Sequence, residues 1–468
     1  MVQKYGVDII EGFEEDLSTL LVGVDSLFGG DVMHQSGTKH VIADNWTSGK
    51  PAPAIYNDPL SVIFREIEGV HGAINPSDVE DYVRKYNLLD LKWGIKDKIR
   101  EFDDDRERYV INLVDSLDIM LRTAMAMADK DNFVLPSFEE RVVTSTANLG
   151  SLELADPEPE REVLRIALAR EGFEVSNSRN LRETVNAWHE KQELIPKEKI
   201  KSIAELSKLF LLGLTREEIF RNLDFGIEGL EKDLSDVHFG GHRFETVSDV
   251  FFTGSSIYRG GEVSGLPAFN GLFEFNTDHP LTDDMLLFLT SHEVVPGHYL
   301  NSAITDLLWR NGKLGFEATT AVMCTPSAVF HEGWAQNAFC LFYGSNNLIP
   351  DDQLEKSLAV HLAYEELEDI AKNNAAIKHQ YRGESLDEVK RYVAEECVQG
   401  DSVVKKMSGA WAQHPIIGPM YGQAYYLGRS TVRKAIKDVG KERVAKVGFH
   451  LEGLVDIATF KSKVYSKQ

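Results

Sequence analysis

The sequence predicts a mainly α-helical protein with a small β element placed just before a histidine-bearing helix. Three observations carry this expectation. Apolar residues recur at helical spacing through most of residues 58–235 and again beyond Pro326, with capping residues where the pattern begins. Nothing alternates strands with helices in the manner of βαβ units. The texture changes only between about residues 235 and 280, where glycines cluster around short apolar runs.

In chain order, residues 1–55 carry loop signals at Gly29-Gly30, Ser36-Gly37 and residues 48–53, so a partly irregular segment is expected there. From Asp58 the pattern turns helical. Pro76 stands where a first helical turn tolerates it, and Val79, Val83 and Tyr86 follow at helix spacing. Residues 101–130 read as one long helix, charged at its start and amphipathic later. Ser137-x-x-Glu140 has the form of a capping box. Asp156 to Glu160 opens a further helix; residues 181–194 and 203–212 read the same way, and Thr215-x-x-Glu218 is expected to cap another reaching about Leu234.

Val250-Phe251-Phe252 and Leu272 to Phe275 suit short strands, as a small sheet or hairpin or as glycine-rich loops. Thr282-Asp283-Asp284 then starts the histidine helix, its acidic residues matching the positive N-terminal end. Thr325-Pro326 starts another helix, expected to run to about Tyr343, and Ser385-x-x-Glu388 is a second capping box. The organisation expected is a mostly helical region over residues 1–235 and a second region over residues 236–468. No linker rich in proline or serine divides them, so the two also read as one continuous domain.

The formal net charge of −24 argues against nucleic acid or an anionic membrane as partner. Three cysteines, Cys324, Cys340 and Cys397, form no C-x-x-C pair, which points to a reducing compartment and away from a cysteine zinc site. The N-terminal residues lack the apolar core of a signal peptide, and no run approaches a membrane span, so a soluble cytoplasmic protein is expected.

The chemistry concentrates in T-S-H-E-V-V-P-G-H-Y-L-N, residues 290–301. The H-E-x-x-H motif sets two zinc-ligating histidines one helical turn apart, with a general-base Glu beside the first. Here His298 follows His292 by six residues, not four. At about 100° per residue, a spacing of four leaves side chains roughly 40° apart and a spacing of six about 120°, so an unbroken helix would not aim both at one ion. The two surplus residues are Pro296 and Gly297. The nitrogen of Pro296 cannot bond to the carbonyl of His292, so the helix must open there, and Gly297 accepts the backbone path needed to swing His298 back. Glu293 is the only formally charged side chain between Met285 and Thr305. A lone carboxylate in such company has to be paired, protonated or beside a cation.

A catalytic zinc takes three protein ligands and leaves one position open. Glu332, in F-H-E-G-W-A-Q, is the only formal charge between Ala318 and Gly344 and is the preferred third ligand. Its neighbour His331 is the alternative, since adjacent helical residues point about 100° apart and only one can serve. Glu293 would then act as general base on the attacking water, and an oxyanion donor would be needed as well. Tyr421, Tyr425, Tyr426 and Arg429 in the C-terminal region, and His379, are the candidates for that role or for binding substrate.

H-E-V-V-P-G-H-Y-L-N resembles the H-E-x-x-P-G-H-x-x-Q signature of the domain-of-unknown-function 885 family, and E-G-W-A at Glu332 to Ala335 resembles its second marker. Weaker echoes lie at Glu274 to Thr277, from His379 through the Ser-Leu-Asp-Glu-Val run, and at Gln423 to Gly428. The likeness covers about residues 271–429 and departs from the pattern at Asn301, where the family has Gln. It implies a zincin-like helical metallopeptidase architecture, with His292, His298 and Glu332 holding Zn2+, Glu293 as base and Tyr425 as the preferred tyrosine. It gives a reaction class and no substrate; with that reaction class, a peptide or other small amide is the substrate expected. Two alternatives stand beside this: a zinc hydrolase of a non-peptide amide or ester, and a non-catalytic, metal-containing binding or scaffold protein.

Overall fold

The computed structural model describes residues 10–30, 32, 43–47, 55, 76–175, 180–224, 241–250, 253–264, 266–343 and 356–466. It is mainly α with one small mixed sheet, as expected. The first helices are α1 (Phe13–Leu27), α2 (Pro76–Lys85), α3 (Leu88–Lys98) and α4 (Asp104–Ala128). In α4 the Asp103 side chain accepts from the Arg106 amide, and acidic residues fill the first turn. Val110, Leu113, Leu117, Met120, Leu121 and Ala124 then line a buried stripe down the helix. Four helices follow: α5 (Phe138–Ser145), α6 (Glu158–Arg170), α7 (Leu181–His189) and α8 (Ile200–Glu218).

The five strands are β1 (Ala43–Trp46), β2 (His242–Val247), β3 (Gly254–Val263), β4 (Leu266–Asn276) and β5 (Thr320–Val322), in the order β2-β4-β3-β1-β5. The β3–β4 pair is an antiparallel hairpin. Strand β2 runs parallel to β4, and β1 lies between β3 (parallel) and β5 (antiparallel).

This sheet fixes the segment after the histidine helix. The histidine helix itself is α9 (Asp283–Glu293), followed by α10 (His298–Arg310). Tyr299 of α10 lays its ring on Gly271 of β4, where a Cβ would stand 2.5 Å from the ring, and its hydroxyl donates to the Phe269 carbonyl at 2.7 Å. The Tyr258 hydroxyl of β3 reaches Asp306 of α10 at 2.9 Å. The C-terminal body comprises α11 (Pro326–Gln336), α12 (Ala338–Tyr343), α13 (Lys356–Ala376), α14 (Leu386–Glu395), α15 (Asp401–Lys406), α16 (Gly422–Val439), α17 (Lys441–Gly448) and α18 (Ile457–Tyr465). Three π-helical turns, Ile377–Tyr381, Met407–Trp411 and Ile417–Tyr421, interrupt it.

Several local expectations are corrected. Within residues 1–55, expected to be partly irregular, the described residues hold α1 and β1, Gly29 and Gly30 lie just past the end of α1, and the loop signals at Ser36-Gly37 and residues 48–53 fall outside the described residues. Thr215 is no cap. It lies buried inside α8, its hydroxyl bonded back to the Leu211 carbonyl, because Leu211, Leu212 and Thr215 continue one buried face. Helix α7 stops at His189, short of Leu194, and the helix begun at Pro326 breaks at Asn337, whose amide nitrogen turns back to the Gly333 carbonyl. Val250 lies outside any strand. Expectations for residues 58–75, for the helix toward Leu234 and for Phe251-Phe252 fall outside the described residues.

Candidate metal centre

Thr282 caps α9, accepting from the Met285 amide, and the helix ends at Glu293, one residue past His292. Over residues 294–297 the chain leaves helical geometry, with Val295–Pro296 cis. The backbone closes across the gap with hydrogen bonds spanning six residues: the Gly297 amide to the Ser291 carbonyl, and the Leu300 amide to Val294. Both span two residues more than the α-helical four, which is how the Pro-Gly insertion is absorbed. Gly297 is obligatory here, because a Cβ would sit 1.5 Å from the His292 carbonyl oxygen. The Trp334 indole holds the Pro296 carbonyl from α11 at 2.8 Å, and the Ser256 hydroxyl holds the Glu293 carbonyl from β3 at 3.0 Å.

His298 thereby returns beside His292, with the two Nε2 atoms 3.2 Å apart. Glu332 comes from α11, capped by Thr325 with Pro326 in its first turn. Its Oε2 lies 3.5 Å from His292 Nε2 and its Oε1 lies 3.6 Å from His298 Nε2. Zinc–nitrogen and zinc–oxygen bonds of about 2.0–2.2 Å in a tetrahedron put ligand atoms roughly 3.3–3.6 Å apart. The three separations match that edge length, so these residues fit a zinc-sized cation. Among the described residues, this is the one group of three or more His, Cys, Asp or Glu side chains so convergent. Glu293 stands at its edge, with Oε1 4.0 Å from His292 Nε2.

The electrostatics suit ligation. Burial pushes the His298 imidazole down to about 3, so it is neutral with a free lone pair. Burial alone would raise Glu332, but the flanking histidines and a tyrosine hydroxyl outweigh it and hold the carboxyl at about 2. Burial pushes Glu293 up to about 7, the charge of Glu332 adds to the rise, and His292 opposes it. Its proton affinity therefore lies in the range a general base needs at neutral pH.

The tyrosine on Glu332 is Tyr421, whose hydroxyl donates to Oε1 at 2.5 Å. Tyr425, the preferred candidate, sits one turn further on, its hydroxyl 3.4 Å from that of Tyr421. Both reach the site because α11 and α16 cross where Gly333 meets Gly428. A Cβ on Gly333 would lie 2.3 Å from the Gly428 backbone. The sequence offers both tyrosines in Y-x-x-x-Y; which one touches the carboxylate depends on the π-helical turn that ends at Tyr421.

His331 points away from the triad and packs against His450, with ring centroids 5.7 Å apart. Arg429 is buried and pairs with Asp369, and with Glu366 at 3.5 Å. His379 lies in the π-turn after α13, its Nδ1 2.9 Å from the Glu384 carbonyl, and Tyr426 stays at the surface. The structure thus brings together His292, Glu293, His298, Glu332 and Tyr425 but not Arg429 or His379. Lys372 was not anticipated. Its ammonium lies 4.0 Å from the centre of the Tyr425 ring and bonds Asp369 at 3.2 Å.

No family profile and no curated protein matches the chain. Two solved structures share a distant likeness. One, a candidate lipoprotein from Colwellia psychrerythraea, is 13% identical with a TM-score of 0.49, over 83% of this chain and 70% of that one. The other, a candidate lipoprotein of unknown function from Shewanella oneidensis, is 11% identical with a TM-score of 0.48, over 87% and 80%. Among the described residues, no helix is long and apolar enough to cross a membrane.

Proposed function

We propose that this chain is a zinc-dependent metallohydrolase that cleaves peptide bonds in short peptides. The observation that carries the reading is the His292–His298–Glu332 triad at tetrahedral edge lengths, with a carboxylate of near-neutral proton affinity beside it. Resemblance of the H-E-x-x-P-G-H and E-G-W-A motifs to the domain-of-unknown-function 885 family supports the same conclusion.

Zinc, when bound, supplies a Lewis acid that polarises the scissile carbonyl and acidifies water. His292, His298 and Glu332 would hold it; the two histidines, with Tyr421 adding, keep Glu332 ionised, and the Tyr421 hydroxyl orients it. Glu293 takes a proton as the nucleophile forms and returns it to the leaving amine. Tyr425, its hydroxyl protonated because burial drives its pKa up, donates toward the carbonyl oxygen as charge develops there. Three cysteines, none of them in a disulfide, support a reducing, cytoplasmic setting, and the acidic composition supports a small substrate over nucleic acid.

Two measurements test this. Elemental mass spectrometry on protein purified without chelator or nickel resin should find about one zinc per chain, lost in His298→Ala. The Glu293→Gln variant should keep the zinc and lose roughly 10²-fold or more in peptide hydrolysis, as expected for removal of a general base. Full activity in Glu293→Gln, or no zinc even after add-back, sinks the reading.

A further inference from the structure

Helix α13 carries E-E-L-E-D-I-A-K at residues 365–372, which sets Glu368 four residues and Asp369 three residues before Lys372 on one face. Both pairs form: the Lys372 ammonium bonds Asp369 at 3.2 Å and lies 3.4 Å from Glu368. Asp369 is tied down in turn. Arg429 of α16 pairs with it, and the Gln336 amide of α11, one turn past Glu332, donates to it at 3.4 Å. The cation is thereby braced from its own helix and from the helices that carry Glu332 and Tyr425.

An ammonium has three N–H groups, and these two carboxylates take two of them. An aromatic ring stands where the third can go. Gly422 opens α16 against the backbone of Lys372, where a Cβ would lie 2.7 Å from the Lys372 carbonyl oxygen. Tyr425, three residues on and so on the same face of α16, is laid across the lysine, with Lys372 Nζ 4.0 Å from the ring centre. That is cation–π distance, and the lysine side chain, at 8% exposure, makes the contact largely out of water, where it is strongest. Trp411 and Tyr421 pack edge-on against the same ring, with centroids 5.8 and 5.4 Å away.

The ring so held carries a hydroxyl 3.4 Å from that of Tyr421, which bonds Glu332. A positive charge on the face of a phenol stabilises negative charge on its oxygen, so the O–H becomes a stronger donor. The surroundings of Tyr425 agree: burial and the charge of Glu332 raise its pKa, and Lys372 is the foremost influence opposing them.

We propose that Lys372 is the positioning residue of Tyr425: its ammonium, braced by Asp369 and Glu368, holds the ring at one tilt and strengthens the hydroxyl as a donor to the oxygen of the reacting carbonyl. The consequence for hydrolysis rests on the peptidase reading; the placement of the ring does not.

Nuclear magnetic resonance on the zinc-loaded full chain, with carbon-13 in tyrosine and lysine, tests the placement. In the wild-type chain the Lys372 ε-methylene should show a nuclear Overhauser contact to the Tyr425 ring, the signals being assigned with Lys372→Arg and Tyr425→Phe. Absence of that contact overturns the proposal. Lys372→Met alone would strand a carboxylate, so it is combined with Glu368→Gln. In that pair variant the Tyr425 Cζ signal should move while the zinc content and the signals of remote tyrosines stay, and in Lys372→Arg it should remain near its wild-type position. A signal that stays put in the pair variant, or that moves as far in Lys372→Arg, overturns the proposal. On peptide substrates the pair variant should lose about tenfold in kcat with KM little changed, as expected for weakening an oxyanion donor. Adding it to Tyr425→Phe should cost nothing further, the mark of residues that act as a unit. Losses that multiply overturn the proposal. No hydrolysis by the wild-type chain, with the resonances as expected, keeps the positioning role and sinks the peptidase reading. Hydrolysis at the full rate in the pair variant does the reverse.

Discussion

His331 and Glu332 are neighbours on α11, yet their side chains enter opposite chemistries. The Glu332 face gathers groups whose lone pairs converge: two Nε2 atoms 3.2 Å apart and carboxylate oxygens at 3.5 and 3.6 Å. The His331 face gathers groups that satisfy one another. There Asn301 donates to the Gly448 carbonyl at 2.8 Å and lies 3.2 Å from His450 Nε2, while the Val455 amide donates to His450 Nδ1. On that His331 face lies a cavity of about 20 Å³ lined by His331, His450, Asn301, Thr305 and Tyr109. Burial lowers His331 to about 4, so both faces hold neutral imidazoles. A buried histidine is therefore not a ligand by virtue of burial. Convergence of acceptors without matching donors separates a binding site from a packed polar core.

The largest contrast should come from histidine deletion. His298→Ala is expected to abolish stoichiometric zinc binding, whereas His450→Ala should keep about one zinc per chain, read by elemental mass spectrometry. Equal loss in both would erase the distinction between the faces. Tyr421→Phe should weaken zinc affinity by roughly 10–100-fold, the usual effect of removing a hydrogen bond to a ligating carboxylate. Asn301→Ala, on the opposite face, should cost about 1–3 kcal/mol of stability by orphaning buried partners. Competition with a chromogenic chelator should find its zinc affinity unchanged.

Gly333→Ala should destabilise by about 1–3 kcal/mol through overpacking against Gly428. It should also lower zinc affinity by moving Tyr421 away from Glu332, while Gly213→Ala, with open space around its Cβ in α8, should be neutral or slightly stabilising in thermal melts. The smallest effect expected is from Thr282→Ala. Losing the α9 cap should cost about 1 kcal/mol in denaturant unfolding and leave metal content intact.

Much of the triad could be read from the sequence because the constraint is local. Pro296 forbids the helix to continue, Gly297 is the residue whose Cβ would strike His292, and lone carboxylates in apolar helices announce Glu293 and Glu332. The capping box at Ser385 and Glu388 was legible for the same reason, and both of its hydrogen bonds form. At Ser137 only the side-chain half forms, because Glu140 is drawn to Arg122.

What escaped depends on distant partners. The strand β1 is only A-D-N-W, poor in strand formers, and exists because β3 and β5 flank it. Tyr421 gains its contact with Glu332 through a helix crossing set by two glycines 95 positions apart in the numbering, Gly333 and Gly428. Lys372 is unremarkable as sequence, because its place between Asp369, Glu368 and the Tyr425 ring appears only once its helix packs on the one that carries Tyr425. In α1 the signal was present, since Phe13, Leu17, Leu20, Leu21 and Val24 are spaced for a helix, but the glycine pairs that follow drew the segment toward a loop reading.

The position of β1 inside the sheet has a consequence for biosynthesis. Asn45 of β1 accepts from the backbone of Tyr258, 213 residues later, and Thr47 bonds Thr319 across 272 residues. A strand that leaves the ribosome so far ahead of its partners must wait unpaired until they follow. Loop closure over such separations is slow, so the sheet should be among the last parts to consolidate in refolding. Because β5 leads through Thr325 into the helix that carries Glu332, that late closure also sets when the third ligand reaches its place.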